Sequence, residues 1–166
     1  MLSLVSTAQE VDPDGYNIFY YKNGDIASEG RFEGGVPVGI WKSYYEGGVL
    51  KSEGNKTKGQ NEGVWKFFDS KGRITGEYDF WKDAKWGCSK EYDTLGNVVK
   101  ELFYVNNVLQ GTIVEYYSTG ELKRTVNVED GKEVGVAHEF AKDGTIITEE
   151  IFDNGFLKSR EEYNRY

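Results

Sequence analysis

Side chains able to run acid, base, nucleophilic or metal chemistry are sparse in this 166-residue chain. It has one histidine, His138, and one cysteine, Cys88. A single imidazole cannot build a histidine metal cluster, and neither a glycine-rich phosphate loop nor a nucleophile elbow is present. Five glutamates, Glu29, Glu53, Glu77, Glu101 and Glu149, recur in step with the chain's period. On successive hairpins they stand about 10 Å apart, too far for a carboxylate pair or metal cage and near the Debye length. They read as a solvated face. The doublets Glu149-Glu150 and Glu161-Glu162 point to opposite faces or lie in the tail. Cys88 reads as a small buried packing residue, and His138 as a solvated strand residue. The sequence thus assigns no catalytic, cofactor-binding or metal-binding residue, implies no cofactor, and describes a non-enzyme.

What the chain does advertise is periodicity. Gly15, Gly39, Gly63, Gly87, Gly111 and Gly135 lie 24 residues apart, and a second glycine series follows nine positions later, at 24, 48, 72, 96, 120 and 144. A fixed period of this size marks a stacked-repeat protein, in which each unit buries surface only against its neighbours. Counting from the first glycine, position 6 is always aromatic (Tyr20, Tyr44, Phe68, Tyr92, Tyr116, Phe140) and position 12 always aliphatic (Ile26, Leu50, Ile74, Val98, Leu122, Ile146). Between them lie turn pairs such as Asn23-Gly24 and Asp143-Gly144, strong short-range hairpin signals. A second turn closes each unit: Gly34-Gly35, Lys58-Gly59, Lys82-Asp83, Asn106-Asn107, Asp130-Gly131 and Asn154-Gly155.

The predicted fold is all-β: an elongated antiparallel meander of six 24-residue β-hairpin repeats in one open-ended sheet. The expected repeats are 15–38, 39–62, 63–86, 87–110, 111–134 and 135–158, with an N-terminal tail, 1–14, and a charged C-terminal cap, 159–166. Simple alternation puts positions 12 and 18 on one parity, making an inner apolar layer with the position-6 rings; position 18 holds Phe32, Lys56, Phe80, Tyr104, Val128 and Phe152. The glutamates of position 15 fall on the polar face. Positions 3, 5 and 7, opposite the position-6 rings, carry Phe19, Tyr21, Trp41, Tyr45, Trp65 and Phe67 in the first three units. Units four and six have Ser89, Glu91, Asp93 and Ala137, Glu139, Ala141 there instead. A row of aromatics on a face meeting water suits partner recognition; the same rings would also stiffen a sheet that has no second layer.

These residues resemble a known family. A period glycine, an aromatic core, a turn glycine, an aliphatic residue, an acidic residue and a second Asn-Gly-type turn are similar to the MORN repeat, in its bacterial variant. Clear copies are Gly39-Ile40-Trp41-Lys42-Ser43-Tyr44-Tyr45-Glu46-Gly47-Gly48 and Gly111-Thr112-Ile113-Val114-Glu115-Tyr116-Tyr117-Ser118-Thr119-Gly120. The structural signature is Gly39, Gly63, Gly87, Gly111 and Gly135 with Tyr44, Phe68, Tyr92, Tyr116 and Phe140. The resemblance implies a scaffold or protein-interaction module, with eukaryotic relatives linked to membrane lipids and several bacterial variants labelled antitoxin or immunity proteins. The chain departs from the lipid-linked type in being acidic, without a basic stripe.

A formal charge of −8 argues against nucleic acid and anionic membrane surfaces, both of which call for clustered Lys and Arg. Residues 1–86 carry 11 basic and 13 acidic side chains, residues 87–166 carry 9 and 15. That asymmetry favours a basic protein partner through steering, though net charge also serves solubility. One cysteine excludes an internal disulfide. No stretch is long and apolar enough for a membrane span. The leader Leu2–Glu10 reads equally as the remnant of an export signal, with Ser6 and Ala8 as the small residues of a cleavage site, or as the disordered start of a cytoplasmic protein. Exposed sheet edges invite self-association, with Asp12-Pro13-Asp14 and the tail from Ser159 as end caps. The functional expectation is a protein–protein interaction scaffold, with the alternative of an antitoxin or immunity protein that neutralises a basic toxin.

Overall fold

A computed structural model describes residues 10–163; the leader expected as a signal remnant lies, through residue 9, outside them. The strands are β1 (Tyr16–Tyr20), β2 (Ile26–Glu33), β3 (Val36–Tyr44), β4 (Leu50–Thr57), β5 (Gln60–Phe68), β6 (Ile74–Trp81) and β7 (Ala84–Tyr92). They continue with β8 (Val98–Val105), β9 (Val108–Tyr116), β10 (Leu122–Glu129), β11 (Lys132–Phe140), β12 (Ile146–Asp153) and β13 (Phe156–Glu162). All belong to one sheet in chain order, each antiparallel to the next. The chain is a single open meander without helices among the described residues.

The turns explain the order. Both central residues of every second turn have positive φ, from Gly34-Gly35 (57° and 76°) to Lys82-Asp83 (50° and 68°) and Asn106-Asn107 (50° and 67°). That pair of angles defines the type I′ hairpin, whose twist matches the strands it joins. The first turns are longer: Tyr21 donates its N–H to the Asp25 carbonyl, and Gly24 to the Tyr21 carbonyl, and the same pair recurs in every unit.

Two bulges per unit set the faces, and they correct the simple alternation. Tyr20 pairs with Ile26 and Phe19 with Ser28, so Ala27 has no partner. Position 13 is skipped likewise at Lys51, Thr75, Val99, Lys123 and Ile147. The extra residue reverses parity, so position 12 shares a face with the position-6 ring and not with position 18. The second bulge lies between units: Gly54 alone stands against Gly63, Val64 and Trp65, the flanking pairs being Asn55 with Glu62 and Glu53 with Lys66. Gly63 sits there at φ 72°, in the left-handed region where a side chain is strained. The period glycine therefore marks a bulge.

The inner face is built on one residue from each strand. In sheet order the row is Asn17, Gly30, Trp41, Gly54, Trp65, Tyr78, Ser89, Leu102, Ile113, Val126, Ala137, Glu150 and Arg160. Large and small residues alternate where they must. A Cβ on Gly30 would lie 2.3 Å from the Trp41 indole, and one on Gly54 would lie 2.2 Å from Trp65. Each indole covers bare backbone and donates its N–H to a carbonyl beside it, Trp41 to Arg31 at 3.3 Å and Trp65 to Asn55 at 3.1 Å. In the C-terminal half aliphatics take over, with Leu102, Ile113, Val126, Val128 and Ala137 buried against Tyr104, Leu109 and Phe152.

Both ends of the row are polar and satisfied. Asn17 is buried, accepts from the Asp12 N–H and donates to the Asp12 carbonyl, both at 2.8 Å. Buried Glu150 accepts from Arg160 at 3.0 Å and lies 3.6 Å from Arg124, which grips Glu133 through both terminal nitrogens. β13 pairs on this edge, with Ser159 at the place of a period glycine and one bulged residue where the other seams have two. The lost residue brings Arg160 opposite Glu150.

Ser89 has a buried hydroxyl without a hydrogen-bond partner among the described residues. An unsatisfied buried donor costs about 1–3 kcal/mol, so Ser89→Ala is expected to raise stability by about 1 kcal/mol in urea denaturation. Gly54→Ala is expected to lower it by about 2 kcal/mol or more by forcing Trp65 off its seat. Equal, small effects from both substitutions would contradict this packing.

Candidate functional site

The aromatic row singled out from the sequence faces inward. Trp65 is 6% exposed, and Phe19, Phe32 and Trp41 pack ring to ring at centroid distances of 5.4–6.3 Å. Phe67 meets Tyr78 edge-on at 5.7 Å. Tyr21 and Tyr45 are inter-unit clasps: each hydroxyl donates to the position-6 carbonyl of the following unit, Tyr44 at 2.6 Å and Phe68 at 2.9 Å, as Tyr117 does to Phe140. The water-facing placement of Phe19, Tyr21, Trp41, Tyr45, Trp65 and Phe67 is corrected by the position-13 bulge. The clasp lapses at Asp69, whose carboxylate instead closes its own turn on Arg73 at 2.6 Å and on the Lys71 N–H at 2.8 Å. Asp93 does likewise with the Leu95 and Asn97 N–H groups.

The outer face holds the position-6 rings together with the glutamates. Tyr44 donates to Glu29 at 2.6 Å and Tyr116 to Glu101 at 3.1 Å, while Lys66 lies 3.8 Å from Glu77 and Lys90 4.0 Å from Glu101. His138 lies 3.2 Å from Glu149. The acidic ladder expected as solvated is thus largely paired, because position 4 supplies a cation across the strand and position 6 a hydroxyl. Burial first, then the Glu29 hydrogen bond, pushes the Tyr44 phenol up to about 12. On the inner face burial and the Glu91 charge push Tyr78 to about 12 as well.

Beside this ladder runs an apolar stripe open to water. It comprises Tyr16, Ile40, Val64, Phe103 and Val136, with Trp81 and Trp86 in its middle at 52% and 45% exposed. Cys88 belongs to this exposed face, contrary to its expected burial, because position 2 points outward and its neighbour Ser89 takes the buried place. The type I′ turn at Lys82-Asp83 sets Trp81 at the end of β6 opposite Ala84 of β7, and Trp86 follows two residues on. With Glu62, Gly63, Asp79 and Phe80 the two indoles line an open groove of about 440 Å³. Sequence reasoning passed over this pair because it sought the exposed face among positions 3, 5 and 7; two tryptophans bracketing a tight turn were the available signal.

Among the described residues no three His, Cys, Asp or Glu side chains converge as a metal group. No helix there is long and apolar enough to cross a membrane. A family model described as the MORN repeat variant matches residues 13–33, 37–55 and 87–106. Three of the chain's hairpins are MORN repeats. The matched stretches fall on the hairpins β1–β2, β3–β4 and β7–β8. No curated protein matches it. MORN repeats commonly serve protein or membrane interactions.

The tyrosines fix an alkaline limit. Their folded pKa lies above the unfolded value of about 10, so their contribution is complete below about pH 10 and is lost as pH rises toward about 12. Thermal stability should hold to about pH 9.5 and then fall, with tyrosinate absorbance appearing together with unfolding. Full tyrosinate absorbance near pH 10 in a folded protein would contradict the burial of these phenols.

Proposed function

We propose that this chain is a non-enzymatic scaffold that holds a protein partner on the outer face of its sheet, centred on Trp81 and Trp86. The observation behind the reading is the exposure of two tryptophans on one groove while the other two, Trp41 and Trp65, are spent on packing. Tryptophan is enriched at the energetic centres of interfaces. Exposed apolar side chains gathered on an otherwise polar face mark such a surface. The net charge of −8 favours a basic partner, and neutralisation of a basic toxin is the narrower form of the same reading. Self-association is disfavoured at the C-terminal edge, where β13 presents Lys158, Arg160, Glu161 and Glu162.

The test is affinity capture from the native host with the tagged chain and its Trp81→Ala/Trp86→Ala double variant. Both rings are about half exposed, so the variant is expected to stay folded. One stoichiometric protein captured by the parent and lost by the double variant supports the proposal. Undiminished capture by a folded variant moves the surface elsewhere.

A further inference from the structure

The groove between Trp81 and Trp86 has a chemistry more specific than an apolar patch. Its floor carries Asp79, whose carboxylate has neither ion pair nor hydrogen bond among the described residues. Along the neighbouring ladder Glu77 and Glu101 meet lysines and Glu149 a histidine; Asp79 meets none. The second carboxylate, Glu62, accepts only the Lys82 backbone N–H, at 3.3 Å. Lys82 also places its ammonium 5.2 Å from the Trp81 ring centre, which shows one indole already engaged with a cation. Two indole surfaces, one uncompensated carboxylate and one half-used carboxylate therefore converge on a space that a flat cation would fill.

We infer that this groove receives an arginine side chain from an extended segment of a basic partner protein. A guanidinium stacks on an indole face and forks onto carboxylates, two demands that ammonium meets less well. Partial exclusion of water between two tryptophans strengthens the attraction over that at an open surface. The apolar side chains on either side, Val64 and Phe103, give the flanking residues of the segment a surface to lie on. The chain's acidity complements the partner's charge and speeds encounter. No other repeat has this combination: the residues matching Trp81 and Trp86 are Thr57 and Glu62 one unit earlier, and Val105 and Gln110 one unit later.

The inference rests on the outer-face reading above, and the experiment separates the two. The full chain, labelled with nitrogen-15, is titrated with the peptide acetyl-Gly-Leu-Arg-Leu-Arg-Leu-Gly-amide while the four indole N–H signals are followed, assigned through single Trp→Phe variants. The Trp81 and Trp86 signals should move and those of Trp41 and Trp65 should not. Asp79→Asn should weaken binding about fivefold or more, and replacing arginine by neutral citrulline about tenfold. Affinity should also fall as salt is raised from about 50 to about 300 mM. Equal binding of the citrulline peptide overturns the arginine assignment, as does movement of the Trp41 or Trp65 signals. Cellohexaose shifting Trp81 and Trp86 where the peptide does not would assign the groove to carbohydrate and overturn the inference too. A peptide that fails to bind while the double tryptophan variant loses its captured partner defeats the arginine inference and leaves the scaffold reading intact; failure of both defeats both.

Discussion

Everything in this sheet depends on a single row of side chains that crosses all its strands. A one-layer sheet has no opposing layer to bury against, so each strand hides apolar surface only under the side chains of the next. The row succeeds by complementarity between neighbours: an indole needs a glycine beside it, and where Tyr78 fills that place Ser89 makes room across the seam. In the C-terminal half medium-sized aliphatics reach the same filling without extremes. The period glycine serves this arrangement indirectly, since its bulge aims the residue two positions on inward at the seams between units.

Devotion of one face to packing leaves the other available. There the ladder of tyrosine, glutamate and lysine satisfies itself, so polarity on that face is mostly spent. At the seam between β6 and β7 two tryptophans and an unpaired aspartate stand together. A repeat array built from near-identical modules thereby acquires a local address. Variation in position-19 and position-24 residues leaves the packing row untouched, which lets such a site differ while the fold stays the same.

The fold itself was legible in the sequence, because glycine spacing and turn chemistry act locally and each turn dictates its own hairpin. The single sheet and the order of its strands follow from turns such as Asp130-Gly131 and Asn154-Gly155. The faces were not legible. Residue 27 looks like any strand residue, yet its lack of a partner reverses the face of the first-strand positions relative to position 18. That one parity error set Trp65, a packing residue, in the expected recognition row. Cys88 and Ser89 were exchanged in the same way. A clue did exist in Gly30 and Gly54, whose spacing from Trp41 and Trp65 is eleven residues in both cases; glycine away from any turn signals a close approach.

The tyrosine clasps have a mechanical corollary. Tyr21, Tyr45 and Tyr117 tie their units to the next, whereas Asp69 folds back on its own turn. Under tension along the stack, load would be shared by backbone ladder and clasp at the tied seams, while the seams after the third and fourth units, where Asp69 and Asp93 replace the tyrosine, lack the clasp. The tryptophan groove lies at one of these two unclasped seams, and a bound segment spanning it would act as a splint across that joint.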